Sequence, residues 1–237
     1  SEGAARSAER FYDLTPESVV TQYNGVDVDA VLSASETPID SPWWNAPAAV
    51  EKRLVRIVSA GRLNHEKGFH LLIEAVSILQ RASEDVEYRL ALLGEGDHRL
   101  RLQEQIDAAS LTDQVSLTGF QDNAAAWYRS ADVFVLSSLV EGMPNVLLEA
   151  MVCETPVVST RCPHGPEEIL DHEQTGLLCE TGSAAGLADA ICQIVEDPEA
   201  ANRRVSAACD RIESTFSQQA AVLRLEEILA AAVRRQG

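Results

Sequence analysis

Short apolar runs alternate with stretches of helical periodicity through most of this chain, and this alternation limits its fold more than any other feature. The runs begin with LVRIVSAG at residues 54–61 and end with TGLLCE at residues 175–180. Between them, apolar residues recur three and four apart, as they do in amphipathic helices. Strands separated by helices form βαβ units and a parallel sheet. The pattern therefore predicts an α/β fold with a doubly wound, Rossmann-like parallel sheet.

The loops that follow the strands are where ligand-binding residues are expected, because ligands of such sheets bind beyond the carboxyl ends of the strands. The predicted strands are 54–61, 88–96, 114–120, 132–138, 156–160 and 175–180. The predicted helices are 67–82, 98–110, 123–131, 145–153, 166–171, 183–196, 198–213 and 217–235. Each strand therefore ends at a loop whose side chains can be examined for chemistry.

The first fifty residues follow a different pattern. SVVTQYN at 18–24 predicts one strand, and residues 33–51, rich in Pro, Ser and Ala, have the composition of a linker. Within them, the apolar PWW at 42–44 is a candidate exposed patch for docking, with the preceding domain as its expected partner. We expect residues 1–50 to be the tail of a preceding domain and a linker. One complete α/β domain is then expected over 51–215, and a C-terminal helix over 216–237.

The charge balance excludes several classes of partner. The net charge of −18 and the sequence pI of about 4.6 argue against nucleic acid and against tight binding to anionic lipid. Lys52 and Lys67 are the only lysines, and such an acid-rich, lysine-poor composition is typical of adaptation to high salt. The chain has no run of about 18 apolar residues, the length that a membrane-spanning helix needs. Five cysteines without a CxxC pair predict a reducing compartment, the cytoplasm.

A pair of cations follows the first strand of the α/β domain, in GRLNHEKG at 61–68. Arg62 leaves the strand, Lys67 is predicted to open the next helix, and Gly68 permits close approach of a ligand. A helix N-terminus with two cations suits a phosphate or diphosphate. The alternative is a pair of ordinary surface cations, but lysine is scarce elsewhere in the chain. The motif therefore favours a diphosphate site.

Two glutamates flank the start of the helix that follows the fourth strand, in EGMPNVLLEAM at 141–151. Pro144 suits the first helical position, which puts Glu141 in the loop and Glu149 one to two turns inside the helix. Carboxylates at two depths could bind different hydroxyls of one polyol ligand. The alternative is that Glu141 is an ordinary charge in the first turn of the helix and that Glu149 lies on a solvated face of it. Apolar neighbours of Glu149 argue against full solvation.

Three further motifs are less specific. In LTGFQDN at 117–123, Phe120 could flank a nucleotide base or could equally be a core residue. LLGEGD at 92–97 has Arg99 where a dinucleotide fingerprint requires its third glycine, which argues against a nicotinamide enzyme. DVD at 27–29 is a candidate for binding a metal ion, but it does not follow a predicted strand of the α/β domain. Cys162 and His164 offer only two metal ligands, which do not make a site. No metal site is predicted.

Together, the Arg62 and Lys67 pair, the glutamates at 141 and 149 and the run TPVVST resemble the family 4 retaining glycosyltransferases, also called glycosyl transferases group 1. The resemblance runs from about residue 18 to the C-terminus. Its members have the GT-B fold, in which two Rossmann-like domains enclose the active site. It implies that this chain is the C-terminal half of such an enzyme and that residues 51–215 bind the nucleotide sugar.

The resemblance also implies roles for single residues. Arg62, Lys67 and Glu141 would be catalytic: the two cations would hold the donor diphosphate, and Glu141 would contact the donor sugar with backbone N–H groups from 142 to 145. Glu149 would bind the ribose, and Phe120 would flank the base. The implied donor-binding residues are Gly61, Arg62, Lys67, Gly119, Phe120, Glu141, Gly142, Met143, Pro144, Asn145 and Glu149.

The implied activity is transfer of a hexose or N-acetylhexosamine from a nucleotide-diphosphate sugar, with UDP as the expected nucleotide, to a glycan or lipid-linked acceptor. It needs no metal and no cofactor. The acceptor would bind through a preceding N-terminal domain, so the chain alone is expected to be inactive, and the whole protein could lie at the cytoplasmic face of a membrane. The alternatives are a sugar-nucleotide epimerase of the same fold and a non-catalytic nucleotide-sugar-binding module.

Overall fold

A single six-stranded parallel sheet forms the centre of the molecule. The computed structural model describes residues 1–15 and 18–236. Its strands are β1 (Arg53–Ala60), β2 (Val86–Leu93), β3 (Val115–Gly119), β4 (Val133–Leu136), β5 (Val157–Thr160) and β6 (Leu177–Cys179). They lie in the order β3-β2-β1-β4-β5-β6, and every neighbouring pair is parallel. This is the order of a doubly wound Rossmann-like sheet, so the predicted fold class is confirmed.

Helices cover both faces of the sheet. They are α1 (Glu2–Phe11), α2 (Val28–Ser35), α3 (Pro42–Asn45), α4 (Phe69–Ala82), α5 (Arg99–Ala108), α6 (Ala124–Ser130), α7 (Asn145–Val152), α8 (Pro166–Ile169), α9 (Ala184–Glu196), α10 (Pro198–Arg211) and α11 (Gln218–Gln236). No helix in the described ranges is long and apolar enough to cross a membrane.

Alternate residues of each strand face opposite layers, as the two-residue period of a strand requires. In β1, Val55 and Ile57 belong to one buried apolar cluster, which also contains the inner faces of α4 and α9. Val58 and Ala60 belong to a second cluster on the other face, with residues of α6 and α7. The continuous apolar runs of the sequence therefore reflect strands that are buried on both sides.

The strand order reverses between β1 and β4, which are neighbours in space although two strands separate them in the chain. The loops after these two strands, at 61–68 and 137–144, therefore leave the same edge of the sheet. The Ser137 hydroxyl donates to the Lys67 carbonyl oxygen over 2.9 Å, and the Leu139 N–H donates to the Glu66 carbonyl oxygen over 2.7 Å. These contacts fix the first loop against the second.

Gly68 sets how closely the two loops approach. The helix predicted from residue 67 begins instead at Phe69, after a 3-10 turn over His65–Lys67. Gly68 has φ 63°, and a Cβ there would lie 2.0 Å from the Ser137 carbonyl oxygen. Only glycine combines this left-handed backbone with so short an approach. Lys67 is thereby held beside the end of β4 and not at a helix start.

The segment before β1 differs most from the sequence-based expectation. The strand predicted at 18–24 is wrong, because the structure has no strand there; the segment contacts the fold through side chains, such as the Tyr23 ring against Phe216, and is followed by a parallel bridge between Val26 and Ser217. The part expected to be a linker contains α3 and the end of α2. Trp44 has no exposed surface, so the exposed docking patch predicted at 42–44 is also wrong.

A tryptophan cluster attaches this segment to the sheet. The Trp44 ring lies 5.9 Å from that of Trp43 and 5.2 Å from that of Trp127 on α6, measured between centroids, and its Nε1 donates to the Ser130 hydroxyl over 2.8 Å. The buried Arg89 of β2 donates to the Trp43 carbonyl oxygen over 2.9 Å. Residues with linker composition therefore form part of the folded core.

Candidate donor-binding site

The loops after β1 and β4 bring two of the predicted residues into direct contact. The Lys67 ammonium lies 2.6 Å from Oε1 of Glu141, which also accepts a hydrogen bond of 2.6 Å from the Ser138 hydroxyl. The Glu141 side chain is 8% exposed and that of Lys67 24% exposed. A charge-assisted contact in such partial burial is stronger than one in open solvent. The pair marks the point where the strand order reverses.

A pocket of about 420 Å³ lies beside this pair, at the carboxyl ends of β1 and β2. Its volume is within the usual range for small-molecule sites. It brings together four predicted residues, Gly61, Arg62, Phe120 and Glu149. The other lining residues are Ala60, Leu93, Gly94, Glu95, Gln121, Ala124, Tyr128 and Val146. Residues from separate loops and helices therefore share one cavity.

Phe120 lies at this pocket with 73% of its surface exposed. The reading of Phe120 as a core residue is therefore wrong. It follows Gly119, which ends β3 with φ 79° and pairs through an isolated bridge with Gly94. An exposed aromatic ring at the edge of a pocket offers a flat surface on which a planar ligand could stack.

Glu149 is the most buried carboxylate of the pocket. It stands in the second turn of α7, as the sequence predicts, and burial raises the pKa of its carboxyl group. A second groove reaches it from the side of α2, lined in part by Asn123 and Asn145. A carboxylate in such a place is costly without a ligand, and it would gain from hydroxyl donors.

Glu149→Gln is expected to stabilise the ligand-free chain at pH 7. The pKa of Glu149 is higher in the folded chain than in the unfolded one, so its contribution to stability is present at low pH and is lost as the pH rises through the folded pKa. Glutamine cannot ionise, so Tm at pH 7 should rise by a few degrees and the gain should shrink toward pH 4. Thermal unfolding at both pH values checks this. The exposed Glu104→Gln should change Tm at neither pH, and an equal gain at both pH values for Glu149→Gln would contradict the burial argument.

The loop before α7 departs from the prediction at Pro144. Pro144 is not the first helical residue but the N-cap residue just before the helix, with φ −76° and ψ 94°. It also has no N–H, so it adds no donor to the set predicted over 142–145. The Glu141 N–H lies 3.4 Å from the Pro163 carbonyl oxygen, and Asn145 Oδ1 accepts from Asn24 over 3.1 Å. Met143 packs against the apolar cluster beside α7.

The weaker metal motifs have other roles. Asp27 caps α2 by accepting from the Ala30 N–H. Cys162 is buried, which raises the pKa of its thiol to about 11, and His164 Nε2 lies 3.4 Å from the Ser7 hydroxyl. Among residues 1–15 and 18–236, no three His, Cys, Asp or Glu side chains are grouped so as to hold a metal ion. Metal-independent chemistry stays a prediction.

Sequence reasoning misses several residues of the site. Ser138, the partner of Glu141, lies at the end of a predicted strand, although a hydroxyl three residues before Glu141 is a usable signal. Gly94 and Glu95, which line the pocket, belong to a glycine motif that is only a weak dinucleotide fingerprint. Tyr128 stands in a helix among apolar residues and reads as core. No local pattern distinguishes it from a packing residue.

Most of the chain matches one known protein family. Residues 45–211 match the model described as Glycosyl transferases group 1. The chain belongs to the glycosyl transferases group 1 family. The resemblance stated from the motifs is thereby confirmed at the level of this family. Its finer subdivision, family 4, stays a prediction.

Two relatives of the chain are also named as glycosyltransferases. The chain is 33% identical over 226 residues to the lipopolysaccharide core biosynthesis glycosyltransferase LpsE of Rhizobium meliloti, covering 94% of this chain and 61% of the relative. It is 33% identical over 245 residues to the D-inositol 3-phosphate glycosyltransferase of Pseudarthrobacter chlorophenolicus, covering 100% of this chain and 58% of the relative. The chain thus spans about three fifths of these two relatives.

A solved structure has the same fold. The crystal structure of Anabaena HepE in complex with UDP superimposes with a TM-score of 0.79 at 21% identity, covering 96% of this chain and 62% of that one. At this identity the likeness speaks for the fold alone. The predicted fold, that of the C-terminal half of a GT-B glycosyltransferase, is confirmed.

Proposed function

We propose that this chain binds a nucleotide-diphosphate sugar and forms the donor-binding part of a glycosyltransferase. The observation that carries the proposal is the contact of Lys67 with Glu141 where the strand order reverses, beside a pocket that contains Arg62 and Glu149. Sites at this position of a doubly wound sheet bind nucleotides in many folds. Family membership supports the class of reaction.

The two cations suit a diphosphate. Arg62 is exposed at the mouth of the pocket and Lys67 is partly buried five residues later in the same loop. A diphosphate between them would share Lys67 with Glu141 and would receive hydrogen bonds from the Arg62 guanidinium. During transfer, negative charge develops on the departing diphosphate, and preorganised cations stabilise it. No metal is needed for this role.

The two glutamates divide the rest of the donor between them. Glu149 and Phe120 share the pocket, so they suit the ribose and the base, and Gly119 with Gly61 would let the backbone approach them. Glu141, on the far side of Lys67, suits the sugar hydroxyls. UDP is the expected nucleotide, because the HepE structure of the same fold contains UDP. The expected sugar is a hexose or N-acetylhexosamine.

The proposal also covers the stereochemistry of the transfer, the acceptor and the place of the reaction. We expect transfer with retention of configuration to a glycan or lipid-linked acceptor, since one relative is named for lipopolysaccharide core biosynthesis. Because the chain spans about three fifths of its relatives, we expect it to bind the donor but to transfer little sugar alone. The complete enzyme would act in the cytoplasm, at the membrane face where lipid-linked acceptors lie.

Titration calorimetry with UDP, ADP and GDP tests the proposal. At least one nucleotide should bind with a dissociation constant below about 1 mM, and Arg62→Ala should weaken it roughly tenfold, the usual effect of losing one charge-assisted hydrogen bond. Arg81→Ala, outside the pocket at the end of α4, is the control and should bind like the parent chain. Failure of all three nucleotides to bind at millimolar concentration would overturn the donor-site assignment.

A further inference from the structure

The hydroxyl of Tyr128 is a polar group without a partner in the wall of the pocket. Tyr128 is fully buried, and its Oη makes no hydrogen bond with any described residue. Its ring is fixed edge-on against Phe134 of β4, with centroids 5.2 Å apart. The side chain nevertheless lines the same pocket as Arg62 and Glu149. A phenylalanine would fill this place equally well without the free hydroxyl.

Burial of an unpaired hydroxyl costs free energy, so a partner is expected in some state of the molecule. Burial also raises the pKa of Tyr128 well above its usual value, with Glu149 as the next cause. The proton therefore stays on the oxygen near neutral pH, and the group can act as a donor. What it requires is an acceptor that can approach it.

Among the described residues, two ionisable side chains lie near enough to raise the pKa of Tyr128, Glu149 of α7 and Cys153 just after that helix. The Cys153 Sγ lies 3.5 Å from the Ala125 carbonyl oxygen, to which it donates, and burial raises the pKa of its thiol to about 12. A neutral thiol already engaged as a donor is a poor acceptor. The Glu149 carboxylate has two oxygens and lines the same pocket, so it is the acceptor that remains.

We propose that Tyr128 is a positioning residue whose hydroxyl donates to one oxygen of the Glu149 carboxylate when a ribose occupies the pocket, leaving the other oxygen to accept from the ribose hydroxyls. This inference rests on the proposed function, because it assumes that the ligand is a nucleotide. Holding one oxygen fixes the direction of the second, which lowers the entropic cost of binding the ribose. The unpaired hydroxyl is then a feature of the ligand-free state.

The test compares a nucleotide with and without its ribose hydroxyls. Tyr128→Phe should weaken UDP binding by about 5- to 20-fold, the effect of one hydrogen bond to a charged group, and should leave 2′,3′-dideoxy-UDP binding unchanged. Tyr88→Phe is a matched control, since Tyr88 is also buried but lies in the cluster on the opposite face of the sheet. It should bind both nucleotides like the parent chain.

Two further variants separate positioning from packing. In a Glu149→Gln background, adding Tyr128→Phe should cost clearly less UDP affinity than in the parent chain, because a neutral amide oxygen accepts a weaker hydrogen bond than a carboxylate. Thermal unfolding should show that Tyr128→Phe is at least as stable as the parent chain. Equal loss of UDP and dideoxy-UDP binding, or no loss of UDP binding, would overturn the inference. Failure of the parent chain to bind any nucleoside diphosphate would instead overturn the proposed function.

Discussion

Lys67→Met should weaken UDP binding by about 10- to 100-fold and should also destabilise the ligand-free chain. An ammonium that contacts phosphate contributes about 1.5–3 kcal/mol, which corresponds to that range of affinity. Among the described residues, the same substitution leaves the Glu141 carboxylate, 8% exposed, with only the Ser138 hydroxyl as its partner. Loss of one member of such a pair costs about 1–3 kcal/mol of unfolding free energy.

Affinity and stability respond differently to the double substitution. Lys67→Met with Glu141→Gln removes both charges, so stability should return while UDP affinity stays low. Lys52→Met is the matched control, because Lys52 is the only other lysine and is exposed; it should change neither quantity. Calorimetry with UDP and with uridine completes the measurement. Uridine carries no phosphate, so its binding should be unaffected. Parent-like UDP affinity in Lys67→Met would show that the diphosphate lies elsewhere.

Trp44→Ala should lower the unfolding free energy by about 3–5 kcal/mol, the usual cost of removing a large buried aromatic side chain. The residue has no exposed surface, contacts the Trp127 ring and donates to the Ser130 hydroxyl. It lies in the segment whose composition is that of a linker. Urea unfolding followed by circular dichroism measures the loss.

Trp43→Ala is the natural control for this prediction. Trp43 is partly exposed, and its Nε1 donates to the Asp113 carbonyl oxygen over 2.8 Å at the surface. Its removal should cost clearly less than that of Trp44. A loss below about 1 kcal/mol for Trp44→Ala would mean that the segment before β1 contributes little to the core.

The central sheet could be predicted from the sequence because its strands are buried on both faces. Continuous apolar runs such as DVFVLSS are typical of strands that meet helices on both sides. Strand ends were predicted less accurately: the strand predicted over 88–96 includes Gly94 to Gly96, whereas β2 stops with the apolar run at Leu93.

Residues whose role depends on long-range packing could not be predicted. Trp44 lies 83 positions before Trp127, which it contacts, and no local pattern reports that contact. Lys67 and Glu141 were each identified from their loops, but their direct contact follows from the strand order, which places β4 beside β1. Tyr128 was missed because a buried tyrosine in a helix reads as a packing residue until its hydroxyl is found without a partner.

The cluster of aromatic rings around Trp44 has a practical consequence. The chain contains three tryptophans, and all three lie in this cluster, at positions 43, 44 and 127. Intrinsic fluorescence excited at the indole band therefore samples one corner of the molecule, where the segment before β1 meets α6. Emission would report detachment of that segment as a distinct event. Because Trp127 immediately precedes Tyr128, the same signal would also register a shift of α6 when the neighbouring pocket is filled.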